Sequence, residues 1–466
     1  MRCGIAKCII PLPQVQETVR NSGENVSLVI VPDAGHVCNV DNKNFFQPLF
    51  IGFSEKFLIL QNNDFLNDYM MKRFLLFTVA TFLSLASASA QNQLRAKAVC
   101  GPYVQCMSET GFTVIWTTDM DAVAWVEVAP DDGTHFYNKE RDKYYDARGN
   151  GVYPIGKIHK VEVDGLEPGT TYRYRIMYKG VTAYNGSGDV QYTKANGTDV
   201  YKGQPHKITT FKKDYDSIRF DIYNDIHGKD SLFNLILAGA REDRDFVFLH
   251  GDMTSNISSE DLIAKMYLGS VAKSLNGGLP IFASRGNHEL RGRDAVKWLN
   301  YFETPTGTPY YSFTIGKYFF VVLDACEDKP DTDIEYSGIV ASAPYVKRQA
   351  KWLKEVLASE ECRNAEVRIA FCHVPPETAG WFGAANMCET LIPPLNEAGI
   401  DAMFCGHIHR WRVAEPDGSI SNAEFPIICN PNMQRMEVTV SEKSIDIQTI
   451  NTEGVVTNKH SIDLKK

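Results

Sequence analysis

The sequence predicts two domains: an all-β sandwich over residues 96–212, then an α/β domain over residues 213–466. Three observations predict it. Up to residue 211, apolar and polar residues alternate with the period of a half-buried strand, as in Val161-Glu162-Val163 and Tyr172-Arg173-Tyr174-Arg175-Ile176. From Ile218 onward, five short apolar runs each end one to three residues before an Asp, Asn or His. Segments of helical period separate those runs, which is the pattern of strand–helix–strand units.

In the first domain, Pro168-Gly169 makes a turn, and Tyr172 stands where a tyrosine-corner residue would brace a sandwich. In the second, residues 218–224, 245–249, 279–284, 368–372 and 402–405 are β-branched or aromatic-rich and too short for helices, so they read as buried strands. Helical periodicity marks 231–241, 259–275 and 345–359. In the last of these Val346, Trp352, Leu353, Val356 and Leu357 form an apolar face opposite Lys and Glu. Residues 327–344 and 377–388, the latter with Trp381 and Phe382, read as long loops expected to shape access to a cleft. Alternation in 436–450 predicts a closing hairpin of the second sheet.

The five runs end in Asp225-Ile226-His227, Gly251-Asp252, Gly286-Asn287-His288, Cys372-His373 and Gly406-His407-Ile408-His409. Ligands gather beyond the carboxyl ends of strands in open α/β sheets, so these side chains are aimed at one cleft. Gly251, Gly286 and Gly406 stand where a tight turn or close backbone approach is needed. The ligand types suit two cations ~3.5–4 Å apart, the spacing that activates a water and stabilises attacking and leaving oxygens. Asp252, in the middle of the set, is the expected bridge. Asp225, His227 and His409 complete one shell, and Asn287, His373 and His407 the other. In an extended segment His407 and His409 project to the same side and reach neighbouring ions. His288 is left to face the leaving group, as proton donor or charge stabiliser. A single Asp or His at a strand end is commonly a turn residue; the ordered set of five carries the prediction. Arg285, Arg291 and Arg293 flank this turn. Arg291 is the candidate to grip a phosphate oxygen, with pairing to Glu289 or Asp294 as the alternative.

These residues resemble the calcineurin-like metallophosphoesterase superfamily, whose pattern is D-x-H, G-D, G-N-H-[DE], H and G-H-x-H. The third motif is present here as Gly286-Asn287-His288-Glu289. The resemblance implies two packed mixed β-sheets flanked by helices, with a dimetal site at one edge. It also implies hydrolysis of phosphate esters by a metal-bridging hydroxide. With nitrogen and oxygen ligands the ions are Fe, Mn, Zn, Co or Ni. Monoesters, diesters, nucleotides and pyrophosphates all fit as substrates, on a small molecule or a polymer. Gly101-Pro102-Tyr103, Val114-Ile115-Trp116-Thr117, His159-Lys160-Val161 and the segment from Leu166 to Tyr172 resemble the fibronectin-III-like N-terminal domain of purple acid phosphatases. That family has a Tyr three residues after its bridging Asp and a Gly two after its first Asp. This chain has Ser255 and His227 at those places. A His ligand thus replaces the coloured tyrosinate, and a colourless site is expected. The alternative from another class is a surface binding or adhesion protein using the sandwich beside a vestigial phosphoesterase fold; the intact ligand set argues against it.

Formal net charge is −9, and no Lys/Arg cluster recommends a nucleic-acid partner. Residues 71–90 carry the parts of a signal peptide: basic Met71-Lys72-Arg73, an apolar run over 74–85 and a small-residue Ala88-Ser89-Ala90 site. The apolar run falls short of the ~20 residues needed to span a membrane. A secreted or periplasmic protein translated from Met71 or Met70 is expected, with residues 1–70 a gene-model or fusion extension. Within that extension, Asp33-Ala34-Gly35-His36 resembles the catalytic-His loop of an α/β-hydrolase, yet the chain has no G-x-S-x-G elbow. Cys372 and Cys405 are expected as buried thiols. Cys100 and Cys106 either pair in an oxidising compartment or remain thiols.

Overall fold

The computed structural model describes residues 49–53 and 56–60 (backbone only), 94–146, 151–186 and 188–464. The signal-peptide segment and the hydrolase-like loop lie outside the described residues. Strands β1 (Leu49–Phe53) and β2 (Lys56–Leu60) pair antiparallel within the unit Met1–Asn92; Gln93–Lys466 forms a second unit.

Eight strands build the front of that second unit: β3 (Ala98–Gln105), β4 (Phe112–Pro130), β5 (Lys143–Tyr145), β6 (Gly156–Val163), β7 (Thr171–Asn185), β8 (Asp189–Tyr192), β9 (Asn196–Gly197) and β10 (His206–Thr209). β4 changes partners midway. Phe112 to Thr118 pairs with β3 and β6, whereas Ala122 to Pro130 pairs with β7. A register shift between Thr117 and Ala122 marks the bend, so one strand serves both layers. Val114 and Trp116 from the first half and Val126, Tyr174 and Ile176 from the second layer are buried in the core. The Tyr172 hydroxyl accepts the backbone N–H of Glu167 at 3.0 Å, which is the expected tyrosine corner. Cys100 and Cys106 form no disulfide with each other, and the Cys106 thiol donates to the Glu303 carbonyl at 3.4 Å.

The sandwich is pinned to the second domain along one stretch. Tyr174 Oη donates to the Gly277 carbonyl (2.9 Å), Tyr103 Oη to the Tyr301 carbonyl (2.7 Å) and His206 Nδ1 to the Asn276 carbonyl (2.9 Å). Lys160 pairs with Glu303 at 3.0 Å. These contacts bracket the Asn287 turn on both sides in sequence.

Two six-stranded sheets form the second domain. One runs β13-β12-β11-β20-β21-β22, from β11 (Ser217–Tyr223), β12 (Phe246–His250), β13 (Ile281–Ser284), β20 (Arg435–Ser441), β21 (Ser444–Ile450) and β22 (Val456–Asp463). The other runs β14-β15-β16-β17-β19-β18, from β14 (Tyr311–Ile315), β15 (Tyr318–Leu323), β16 (Val367–Cys372), β17 (Ala402–Cys405), β18 (Arg412–Ala414) and β19 (Ile427–Cys429). Their inner faces meet in stacked phenylalanines: Phe248 lies on Phe371 at 4.0 Å and Phe282 on Phe313 at 3.8 Å between centroids. Such pairs add about 0.5–1.5 kcal/mol each beyond burial. The helix Asp230–Ala238 packs outside the first sheet, and Ser342–Leu357 and Ile392–Ala398 outside the second. The result is the expected pair of mixed sheets flanked by helices. Cys372 and Cys405 are fully buried thiols, also as expected.

Two expectations fail. The hairpin of β20 and β21 extends the first sheet rather than the second, with Ile218 opposite Val440. Its inward Val438, Val440, Ile445 and Ile447 fit the shared core, and alternation alone cannot say which free edge they take. Half of the expected loop at 377–388 is instead helical, in the helix Phe382–Thr390. Its small residues look like loop but are needed for close approach: a Cβ on Gly383 would lie 2.4 Å from the Glu327 carbonyl.

Candidate metal centre

β11, β12, β13, β16 and β17 are parallel within their sheets, and the turn after each carries the predicted side chains. Those turns are bent hard. Asp225 (φ 53°), His227 (51°), Asp252 (50°), His407 (67°) and His409 (55°) all adopt the left-handed conformation. An L residue there costs on the order of 1 kcal/mol or more, and such strain collects where side-chain placement is over-determined. The segment from Gly406 to His409 is therefore not extended, contrary to expectation. It coils, and its two histidines diverge to different clusters.

Three groups form, each with ligand atoms within 4.8 Å of one another: Asp225, His227 and His409; Asp252, His373 and His407; and His227, Asp252 and His288. Asp225 Oδ1 lies 3.0 Å from His409 Nε2, 3.7 Å from His227 Nε2 and 3.8 Å from His373 Nε2. Asp252 Oδ2 lies 3.1 Å from His373 Nε2 and 3.9 Å from His288 Nε2. The Asn287 side-chain amide lies 3.1 Å from His407 Nδ1. Both carboxylates, Asn287 and His373 are buried, whereas His409 is half open and His227 and His288 line the mouth.

Backbone and amide groups fix which atom of each side chain faces inward. His373 Nδ1 is 2.6 Å from the His250 carbonyl, so it carries the hydrogen and Nε2 is bare. His288 Nδ1 donates to the Ser255 carbonyl at 2.8 Å in the same way. Asn224 Nδ2 and the His407 N–H both donate to Asp225 Oδ2, at 2.6 and 2.9 Å, leaving Oδ1 free. A Cβ at Gly286 would sit 2.3 Å from Asp252 Oδ1, so only glycine lets this turn close.

A cation fits what is left. Asp225 Oδ1 and His373 Nε2 are buried without a hydrogen-bond partner. His227 Nε2 and His409 Nε2 face each other at 3.1 Å. Bare lone pairs converging in a buried site are costly unless positive charge sits among them. Burial opposes charge on His373, but Asp252 and Asp225 overcome it, so this corner favours a positive charge, supplied by a proton or by a cation on Nε2. Burial would likewise raise Asp225 and Asp252, yet His373 pulls both below the usual carboxylate range. The centre attracts positive charge.

Sequence reading missed the supports. Glu289 reads in the sequence as a motif position or a partner for Arg291, yet it accepts the N–H groups of Asp252, Met253 and Gly286 at 2.8, 2.8 and 2.9 Å. Burial and the Asp252 charge push its carboxyl up to about 7. Asn430 donates to the Asn224 amide oxygen and gave no signal at all. Arg291 does face the site, with Nη1 3.5 Å from His288 Nε2. Its partners are neither Glu289 nor Asp294: Nε and Nη2 both donate to Glu327 at 3.1 Å, so the fork is already committed to a carboxylate. Arg285 pairs with Asp324 at 2.7 Å, away from the centre, and Arg293 is exposed.

Comparison with known proteins agrees with the geometry. The calcineurin-like phosphoesterase model matches residues 218–411, and the purple acid phosphatase N-terminal domain model matches 102–194. Purple acid phosphatase 23 of Arabidopsis thaliana is 24% identical over 361 residues, covering 65% of this chain and 71% of that protein. The mouse serine/threonine-protein phosphatase CPPED1 is 24% identical over 204 residues, covering 42% of this chain and 60% of that protein. A purple acid phosphatase from yellow lupin superposes with a TM-score of 0.56 at 15% identity, over 78% of this chain and 74% of its own. PhoD does so with 0.52 at 14%, over 78% and 90%. At these identities the two structures speak to the fold.

Proposed function

Because residues 218–411 match the calcineurin-like phosphoesterases and residues 102–194 the purple acid phosphatase N-terminal domain, we propose that this chain hydrolyses phosphate esters with two metal ions, outside the cytoplasm. One observation carries the reading: Asp225 Oδ1 and His373 Nε2, both buried and unsatisfied, face the other predicted ligands. Asp225, His227 and His409 would hold one ion, Asn287, His373 and His407 the other, with Asp252 between them. Nitrogen and oxygen donors of this kind accept Fe, Mn, Zn, Co or Ni. Such ions supply an activated water and neutralise charge on the phosphoryl oxygens.

The chain's own residues do the rest. Histidines 227, 288 and 409 frame the open side, so the ester enters there. His288, tethered through Nδ1, presents Nε2 to the mouth and delivers a proton or positive charge to the departing oxygen. Secretion or a periplasmic location rests on the signal-like segment 71–90. N-terminal sequencing of exported protein should begin at Gln91, and retention of Met1 would sink that part. The central test is turnover of p-nitrophenyl phosphate and bis-p-nitrophenyl phosphate with added Mn, Zn or Fe. Activity on at least one is expected; none with any ion overturns the reading. The same pair separates monoesterase from diesterase.

A further inference from the structure

Two neighbouring segments beside His288 carry apolar side chains into solvent. Trp381 is 64% exposed and Phe382 40%, while Ile334 and Ile339 on the adjoining segment are 94% and 80% exposed. The two segments are tied together. The Gly383 N–H donates to the Asp328 carbonyl at 3.0 Å, and Lys329 Nζ lies 6.0 Å from the Trp381 ring centroid. They are also tied to the metal centre. Arg291 grips Glu327 with two bonds, lies 3.7 Å from Asp328 and reaches within 3.5 Å of His288 Nε2. The far end of the Trp381 segment is fixed by Glu377, which pairs with Arg412 at 2.6 Å, three residues past His409. Trp381 is thus anchored to a segment that Arg291 connects to His288, the residue assigned to the leaving group.

Resting on the hydrolase reading above, we propose that Trp381, with Phe382, forms a leaving-group subsite for phosphate esters that carry a planar aromatic ring. The ring could belong to an aryl ester or to a nucleoside. An exposed indole offers a face on which any such ring stacks. Holding Trp381 and Phe382 on an anchored turn lowers the ordering cost of that contact. An anionic membrane surface is disfavoured as occupant, because Asp328, Asp333 and Glu335 share this rim and the chain's formal charge is −9.

The test uses the full metal-loaded chain with phenyl phosphate, adenosine 5′-monophosphate and glycerol 2-phosphate. In Trp381→Ala the ratio of kcat/KM for each aromatic ester to that for glycerol 2-phosphate should fall roughly tenfold. Trp381→Phe should recover most of it. A fall for phenyl phosphate alone assigns an aryl ester, and a fall for the nucleotide alone a nucleoside. An unchanged ratio for both overturns the subsite. If the wild type turns over none of these monoesters, bis-p-nitrophenyl phosphate decides the hydrolase reading separately, and binding decides the subsite. Adenosine 5′-monophosphate should quench tryptophan emission in the wild type, with most of that quenching lost in Trp381→Phe. Equal quenching in the two proteins, or none, overturns it.

Discussion

Glu289 Oε2 accepts the backbone N–H of Asp252 at 2.8 Å, and its other oxygen accepts that of Met253 at the same distance. One buried side chain thereby holds the strained turn after β12 against the turn after β13, which also sends it the Gly286 N–H. Glu289→Ala would leave these donors unpaired in a dry site, at about 1–3 kcal/mol each. Metal affinity should fall on the order of 10- to 100-fold. Metal content after dialysis at limiting Mn or Zn checks this, with thermal melting beside it. Glu289→Gln should also lose affinity, since its amide NH2 meets donors. Wild-type metal content and melting in both variants would refute the bracing role.

His288 stands in a cluster with His227 and Asp252, so it has two possible employments. Its tether to the Ser255 carbonyl aims Nε2 at the mouth, but 3.9 Å from Asp252 Oδ2. Proton donation predicts that His288→Ala lowers kcat by roughly 10²–10⁴ while both ions remain bound. Loss of one metal equivalent in that variant would make His288 a ligand instead.

The pure protein loaded with iron should lack an intense visible band. The position three residues past Asp252 holds Ser255, which offers no phenolate, and its backbone carbonyl is occupied by His288. His227 approaches the same Asp225 oxygen as His409 and supplies nitrogen in compensation. A strong tyrosinate-like absorption would show that another tyrosine reaches the ion.

The side chains that converge in the cleft were legible because Asp, Asn and His beyond parallel strands have few other reasons to recur in that order. Glu289 and Asn430 were not, because they act through backbone and amide hydrogen bonds that appear only when separate turns meet. The left-handed bend at His407 was equally invisible: Gly406 marks a turn, but nothing local states that both histidines continue it. The edge taken by β20 depended on Val438 and Val440 meeting a core shared by both sheets, a contact no single segment encodes. Tyr172 succeeded because its partner, Glu167, is only five residues away.

Acid sensitivity should have a source in the sandwich that is separate from the metal centre. His159 is 3% exposed, and its Nε2 lies 2.9 Å from Thr118 Oγ1, whose own hydrogen goes to the Met120 carbonyl at 2.7 Å. The imidazole is thus a neutral donor beside Trp116, and burial holds its pKa down at about 4, against 6.5 for the free group. Since the folded value is depressed, the unfolded chain binds the proton first. This contribution is complete above pH 6.5 and is lost as pH falls towards 4. The full loss is about 3 kcal/mol at 1.36 kcal/mol per unit. Urea unfolding of wild type and His159→Gln at pH 7.5 and 4.5 isolates it, since other groups titrate alike in both proteins. The variant should lose about 2.5 kcal/mol less between the two pH values, and identical losses would remove His159 from the account.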